Sequence, residues 1–61
     1  MTRYKVTFRY RDSYSHWEWR TQNCSLCANS KYEAQRKAIE WYGLGTDCEY
    51  EIISVEETGN D

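Results

Sequence analysis

A chain of 61 residues has room for one small core and excludes a second domain or a built-in cofactor fold. Hydrophobic residues at 39%, with six Tyr, three Trp and one Phe among them, exclude a disordered composition, which is poor in aromatics. Eight Lys+Arg against ten Asp+Glu leave a net charge of −2, so the chain as a whole carries no positive excess for phosphates.

Residues 3 to 11 alternate almost without fault. Tyr4, Val6, Phe8 and Tyr10 share one face, and Arg3, Lys5, Thr7, Arg9 and Arg11 the other. A period of two in aromatic and β-branched types predicts a half-buried strand. The chain leads into this strand from Met1 without an apolar stretch, so no secretory leader is expected. Nothing approaches the ~18 apolar residues of a membrane span. Asp12, Ser13, Tyr14 and Ser15 carry turn chemistry, with side chains suited to bonding nearby backbone. A second alternating run follows, Trp17, Trp19 and Thr21 against Glu18, Arg20 and Gln22, giving a hairpin with a loop of about four residues.

Ser30 and Glu33 have the spacing of a capping box, in which each side chain satisfies a backbone donor at the other's end of the first turn. Ala34, Ala38, Trp41 and Tyr42 form one helical stripe with Ile39 on its flank, and Gly43 stands where a left-handed stop is expected. The spacing predicts a helix over 30–42, with Glu33–Lys37 and Arg36–Glu40 as i,i+4 pairs. A third strand is expected over 49–55, where the Ile52-Ile53 pair breaks the alternation and marks a bulge or a two-sided position. Residues 58–61 are expected to form a flexible tail after a single domain of residues 1–57.

The order is β-β-α-β, an α+β fold: a three-stranded antiparallel sheet with one helix packed on one face. The helix returns the chain to the far end of the sheet, so the third strand should run parallel to the second. The simplest placement is the strand order 2-1-3, with the other face open to solvent.

Cys24, Cys27, Cys48 and His16 match the count of a zinc site. The topology separates them by the length of a helix, ~20 Å at ~1.5 Å per residue, so no metal and no cofactor are expected. The cysteines read as small, partly buried apolar residues. An odd cysteine count, with no leader expected, argues against a secreted disulfide scaffold, so the cytoplasm is the expected compartment. No nucleophile–base pair, phosphate-cradling glycine loop or carboxylate pair stands out, and the chain is too short to enclose a deep pocket of ~300 Å³. Catalysis is not expected.

Residues 1–20 carry Arg3, Lys5, Arg9, Arg11 and Arg20 against two acids, whereas residues 40–61 carry seven acids and no base. One reading pairs these charges across neighbouring strands, Arg and Lys of the first beside Glu49 and Glu51 of the third. The tryptophans add a second. Their parity is opposite to that of Leu26 and Ala28. Either a bulge near Gln22–Cys24 shifts the phase and makes Trp17 and Trp19 core, as a small domain would favour, or they stand on the open face beside Arg9 and Arg11. Exposed, they would form a Trp–Arg patch of the kind that dominates protein interfaces.

The layout and the stretch Ala28-Asn-Ser30-Lys-Tyr-Glu33-Ala34-Gln-Arg-Lys-Ala38 resemble a class of very small phage-encoded ββαβ proteins of the host-takeover and anti-defence type. That class includes a phage inhibitor of bacterial RNA polymerase and some anti-CRISPR proteins, and a phage inhibitor of uracil-DNA glycosylase has a similar strand order. The polymerase inhibitor relies on arginines in its last strand, where this chain has Ser54 and Glu56. The resemblance implies a non-catalytic protein that binds and inhibits or modulates a host protein by occluding its surface. The expected contact residues are Arg9, Arg11, Trp17, Trp19, Arg20, Glu49 and Glu51. The acidic strand would suit a nucleic-acid-handling partner. The alternative is a small nucleic-acid-binding module using the basic first strand, and an exposed strand edge leaves a homodimer open.

Overall fold

A computed structural model describes residues 1–60. The chain runs through β1 (Thr2–Asp12), a 3-10 turn (Ser13–Ser15), β2 (Arg20–Ala28), α1 (Lys31–Tyr42) and β3 (Cys48–Asn60). The sheet has the order β2-β1-β3, with both neighbours antiparallel to β1. β3 therefore runs parallel to β2, as the returning helix requires.

Alternation sets the two faces. Tyr4, Val6 and Phe8 of β1 turn toward α1 and meet Leu26 and Ala28 of β2, Ala34 and Ala38 of the helix, and Leu44 beyond it. The helix contributes alanines, so it lies close to the sheet, and the large β1 side chains fill the space between. Ile39 packs on one flank of this stripe. Trp41, expected on the stripe, is instead turned out on the opposite flank and is 66% exposed.

Local signals fix the helix ends. Ser30 Oγ accepts from the Glu33 N–H at 3.1 Å. The return half of the capping box shifts by one residue, Glu33 Oε2 accepting from the Asn29 N–H at 3.3 Å. Lys37 pairs with Glu33 at 3.4 Å and also donates to the Cys27 carbonyl at 2.9 Å, which ties the helix to β2. At the other end Gly43 takes a left-handed backbone (φ 63°), a conformation that costs glycine nothing.

Two irregularities bend the β1–β3 ladder. Thr7 faces Ser54 and Phe8 faces Ile52, so Ile53 is the extra residue of a bulge, as the Ile52-Ile53 pair suggested. The second leaves Thr58 between Glu57 and Gly59. Here the expected tail is corrected. β3 runs past the expected 49–55 and continues to Asn60 alongside Thr2 and Arg3 of β1, with Thr58 Oγ1 donating to the Arg3 carbonyl at 3.3 Å. Asp61 lies outside the described residues.

The lengths of the layers do not match. β1 spans roughly 36 Å at ~3.3 Å per residue, whereas the helix spans about 18 Å at ~1.5 Å per residue. Tyr42, the last helical residue, reaches only as far as Phe8, ring centroids 5.0 Å apart, while β1 continues to Asp12. The sheet is therefore uncovered by helix at its hairpin end. Among the described residues no helix is long and apolar enough to cross a membrane.

Candidate functional site

The open face is built on β1. Arg9 stands opposite Glu51 and Arg11 opposite Glu49, so the register itself brings the charges together. Arg9 donates from Nε (3.0 Å) and Nη2 (2.6 Å) to Glu51 Oε2. Arg11 reaches Glu49 Oε2 from Nε at 2.6 Å and from Nη2 at 2.5 Å. Two arginines on alternate residues of one face are neighbours, and one aromatic ring covers both. Trp19 lies with its ring 4.4 Å from the Arg9 guanidinium carbon and 4.7 Å from that of Arg11. It precedes Arg20, the partner of Tyr10, and so carries the open-face parity beside Arg11.

Both readings of the charge split meet here. The cross-strand pairs form, and Trp19 is exposed above them at 40%. The core placement of the tryptophans, favoured by the need to bury large side chains, is corrected. β2 begins at Arg20 and continues in phase to Leu26 and Ala28 with no bulge, leaving Trp17 and Trp19 in the loop before it. Each ion pair is worth ~0–1 kcal/mol at the surface and each cation–π contact ~0.5–1 kcal/mol. Their effect is less to stabilise the fold than to hold five side chains in one arrangement.

The hairpin loop spans seven residues, 13–19, and not the four the turn chemistry suggested. Asp12 and Ser15 close a reciprocal cap: Ser15 N–H donates to Asp12 Oδ1 at 2.9 Å, and Asp12 N–H donates to Ser15 Oγ at 3.1 Å. The buried Ser15 hydroxyl also reaches the carbonyls of Asp12 (3.0 Å) and Glu18 (3.1 Å). His16 and Trp17 then take consecutive left-handed backbones, φ 56° and 59°. That conformation costs a bulky residue roughly 1–2 kcal/mol. The Trp17 N–H donates to the Asp12 carbonyl at 2.8 Å, which holds the turn. Ser15→Ala should cost ~1–3 kcal/mol, because it removes a buried hydroxyl and leaves the part-buried Asp12 N–H without its acceptor. A lower Tm, together with tryptophan emission shifted toward that of a solvated ring, would verify that Ser15 holds the loop.

The expected contact residues divide. Arg9, Arg11, Trp19, Glu49 and Glu51 share the open face. Trp17, 52% exposed, sits at the turn that leads into it. Arg20 does not belong with them. Its parity is that of Leu26 and Cys24, and it lines a hollow with Tyr10, Asp12 and Tyr14 on the helix side.

The cysteines do not converge. Cys24 faces the core beside Val6, whereas Cys27, three residues on in a strand, takes the opposite face beside Arg3. Cys48 lies at the hairpin end beside Asp12. Burial pushes the Cys24 thiol above its ordinary range, the wrong direction for a thiolate nucleophile.

The expectation that the chain cannot enclose a deep pocket does not extend to an open cleft. Where the helix stops short of the sheet, a cleft of about 410 Å³, open to solvent on one side, lies between Tyr10, Tyr14, Tyr42, Leu44 and Asp47. No motif marks it, because it arises from the unequal lengths of helix and strands.

Fold and open face together define a small two-layer α+β protein with one sheet face left bare and charge-paired. Compared with protein-family models, with curated proteins and with solved structures, the chain has no significant match.

Proposed function

We propose that this chain is a non-catalytic binding protein of phage or prophage type, which inhibits or modulates a host protein by occupying its surface. The observation that carries the binding role is Trp19 laid over Arg9 and Arg11, themselves anchored by Glu51 and Glu49. Trp and Arg supply a disproportionate share of interface energy. Side chains already fixed before contact lose less freedom on binding. The phage assignment rests on the resemblance of residues 28–38 to the helix entry of small host-takeover proteins.

β3 carries the exposed acids Glu49, Glu51, Glu56 and Glu57, the first two paired with Arg11 and Arg9 on the open face and Glu57 opposite the core-face Tyr4. An acidic strand of this kind supports a partner with a basic groove, such as a nucleic-acid-handling protein. The arginines that would meet phosphates in the alternative reading are already neutralised by Glu49 and Glu51, which favours a protein over nucleic acid. The cytoplasm is the matching compartment, where cysteines stay reduced. A second copy of the chain is the other protein that β2, an uncovered edge, could accept.

Immobilised chain should retain a discrete protein from bacterial lysate. Arg9→Ala/Arg11→Ala should lose it, and Arg36→Ala, on the exposed helix surface, should keep it. Equal retention by all three, or none by any, refutes the assignment of the open face. Binding of labelled DNA that weakens steeply with salt would transfer the function to the nucleic-acid alternative, and a dimer mass in solution would transfer it to self-association.

A further inference from the structure

The hairpin-end cleft lies on the other side of the sheet from the Trp–Arg patch and plays no part in the function proposed above. Its composition is one-sided. Tyr10, Tyr14 and Tyr42 supply aromatic rings, Leu44 an apolar wall, and Asp12 and Asp47 two carboxylates; no Lys, Arg or His lines it. The C-terminus of α1 borders it at Gly43, and the last helical turn carries no basic residue. A helix C-terminus presents about half a negative charge. Ring faces, carboxylates and helix end thus all attract positive charge.

The floor is rigid. Tyr42 packs edge-on against Phe8 at 5.0 Å, and Tyr10 lies 6.3 Å from the same ring, so one buried side chain fixes both. Tyr14 is different: it rises from the rim 93% exposed, a large ring that the core does not use. Asp47 is held in a left-handed backbone (φ 57°) at the opposite side. The volume of about 410 Å³ lies within the ~300–1,000 Å³ typical of small-ligand sites.

We propose that this cleft binds an alkylated ammonium group, the head of a choline-like molecule or of a trimethylated lysine side chain. A hard divalent cation would need six or more oxygen ligands, whereas two carboxylates are present, and Asp12 already accepts the Ser15 N–H. A bare ammonium would use only the oxygens of Asp12, Asp47, Ser13 and Thr46 and would leave the three tyrosine rings and Leu44 without a partner. Methyl groups carrying a diffuse positive charge suit aromatic walls with acids at the rim. Arg20 lines the adjoining hollow that shares Tyr10, Asp12 and Tyr14, and its positive charge opposes such a guest.

Titrating the intact chain by NMR with choline, with a short peptide carrying one trimethyllysine, and with 3,3-dimethylbutanol tests this. The last is the uncharged carbon isostere of choline. Saturable shifts centred on Tyr14, Tyr42 and Asp47 are expected from at least one cation, with the isostere about tenfold weaker or silent. Which cation binds distinguishes a free metabolite from a protein side chain. Tyr14→Ala should weaken binding about fivefold at unchanged Tm, because that ring is unpacked, and Arg20→Ala should strengthen it. Arg9→Ala/Arg11→Ala should leave it unaltered, so that failure of the open-face reading and failure of this one are separable. Absence of shifts at tens of millimolar of both cations, equal shifts with the isostere, or indifference to Tyr14→Ala overturns the proposal.

Discussion

Phe8→Ala is expected to leave the chain predominantly unfolded at 25 °C. Phe8 is wholly buried and is the largest side chain that is. Truncating a buried Phe costs ~3–5 kcal/mol, part of it from the cavity left behind. A single core in a chain this short rarely supplies more than ~3–5 kcal/mol in total, so the loss consumes the whole margin. The surroundings offer little relief, because the helix residues buried in this core, Ala34 and Ala38, have no side chain to swing into the gap. Tyr42 and Tyr10 also lose the ring they lean on, and the end of α1 with them. Circular dichroism at 222 nm should show the helix signal gone or melting more than about 15 °C below the parent. Phe8→Leu, which keeps most of the volume, should still fold. A Phe8→Ala chain melting cooperatively within a few degrees of the parent would mean that the core is not centred on this ring.

Much of this architecture is legible in the sequence where a signal is local. The strict alternation from Tyr4 to Tyr10 names the core face of β1. Ser30 and Glu33 mark the helix start, Gly43 its end, and Ile52-Ile53 the bulge. Features set by two distant segments are not legible in the same way. The Trp17–Trp19 spacing looks like a strand, but the Asp12–Ser15 cap and two left-handed residues absorb those positions before β2 begins. That closure depends on one hydroxyl bonding backbone three residues to either side, which no periodicity reports. Arg20 is a different case, since the parity of Leu26 and Ala28 already assigns it to the helix side. Trp41 fits the stripe in spacing, yet the helix leans toward Ile39 and leaves it out. The cleft is invisible because it reflects a difference in length between layers and not a pattern within one.

Trp19→Ala separates binding from folding most cleanly. Its removal should leave Tm within a few degrees of the parent. Trp19 is 40% exposed, and the contacts forfeited are two surface cation–π stacks of ~0.5–1 kcal/mol each. Arg9 and Arg11 keep Glu51 and Glu49, so no buried charge is stranded. Binding should respond far more strongly. Trp at the centre of a contact patch is worth ~2–4 kcal/mol, or roughly a thirtyfold to a thousandfold rise in Kd. Loss of the ring also frees both guanidiniums to move, adding an ordering cost on association. Trp19→Phe should recover part of the affinity, since a smaller ring still offers a face to the arginines. Arg9→Lys should not, because an ammonium lacks the planar fork that stacks on Trp19 and bonds Glu51 through two nitrogens. The decisive measurement is Kd for the captured partner alongside Tm for each variant. Unchanged Kd in Trp19→Ala would place the contact surface elsewhere on the molecule.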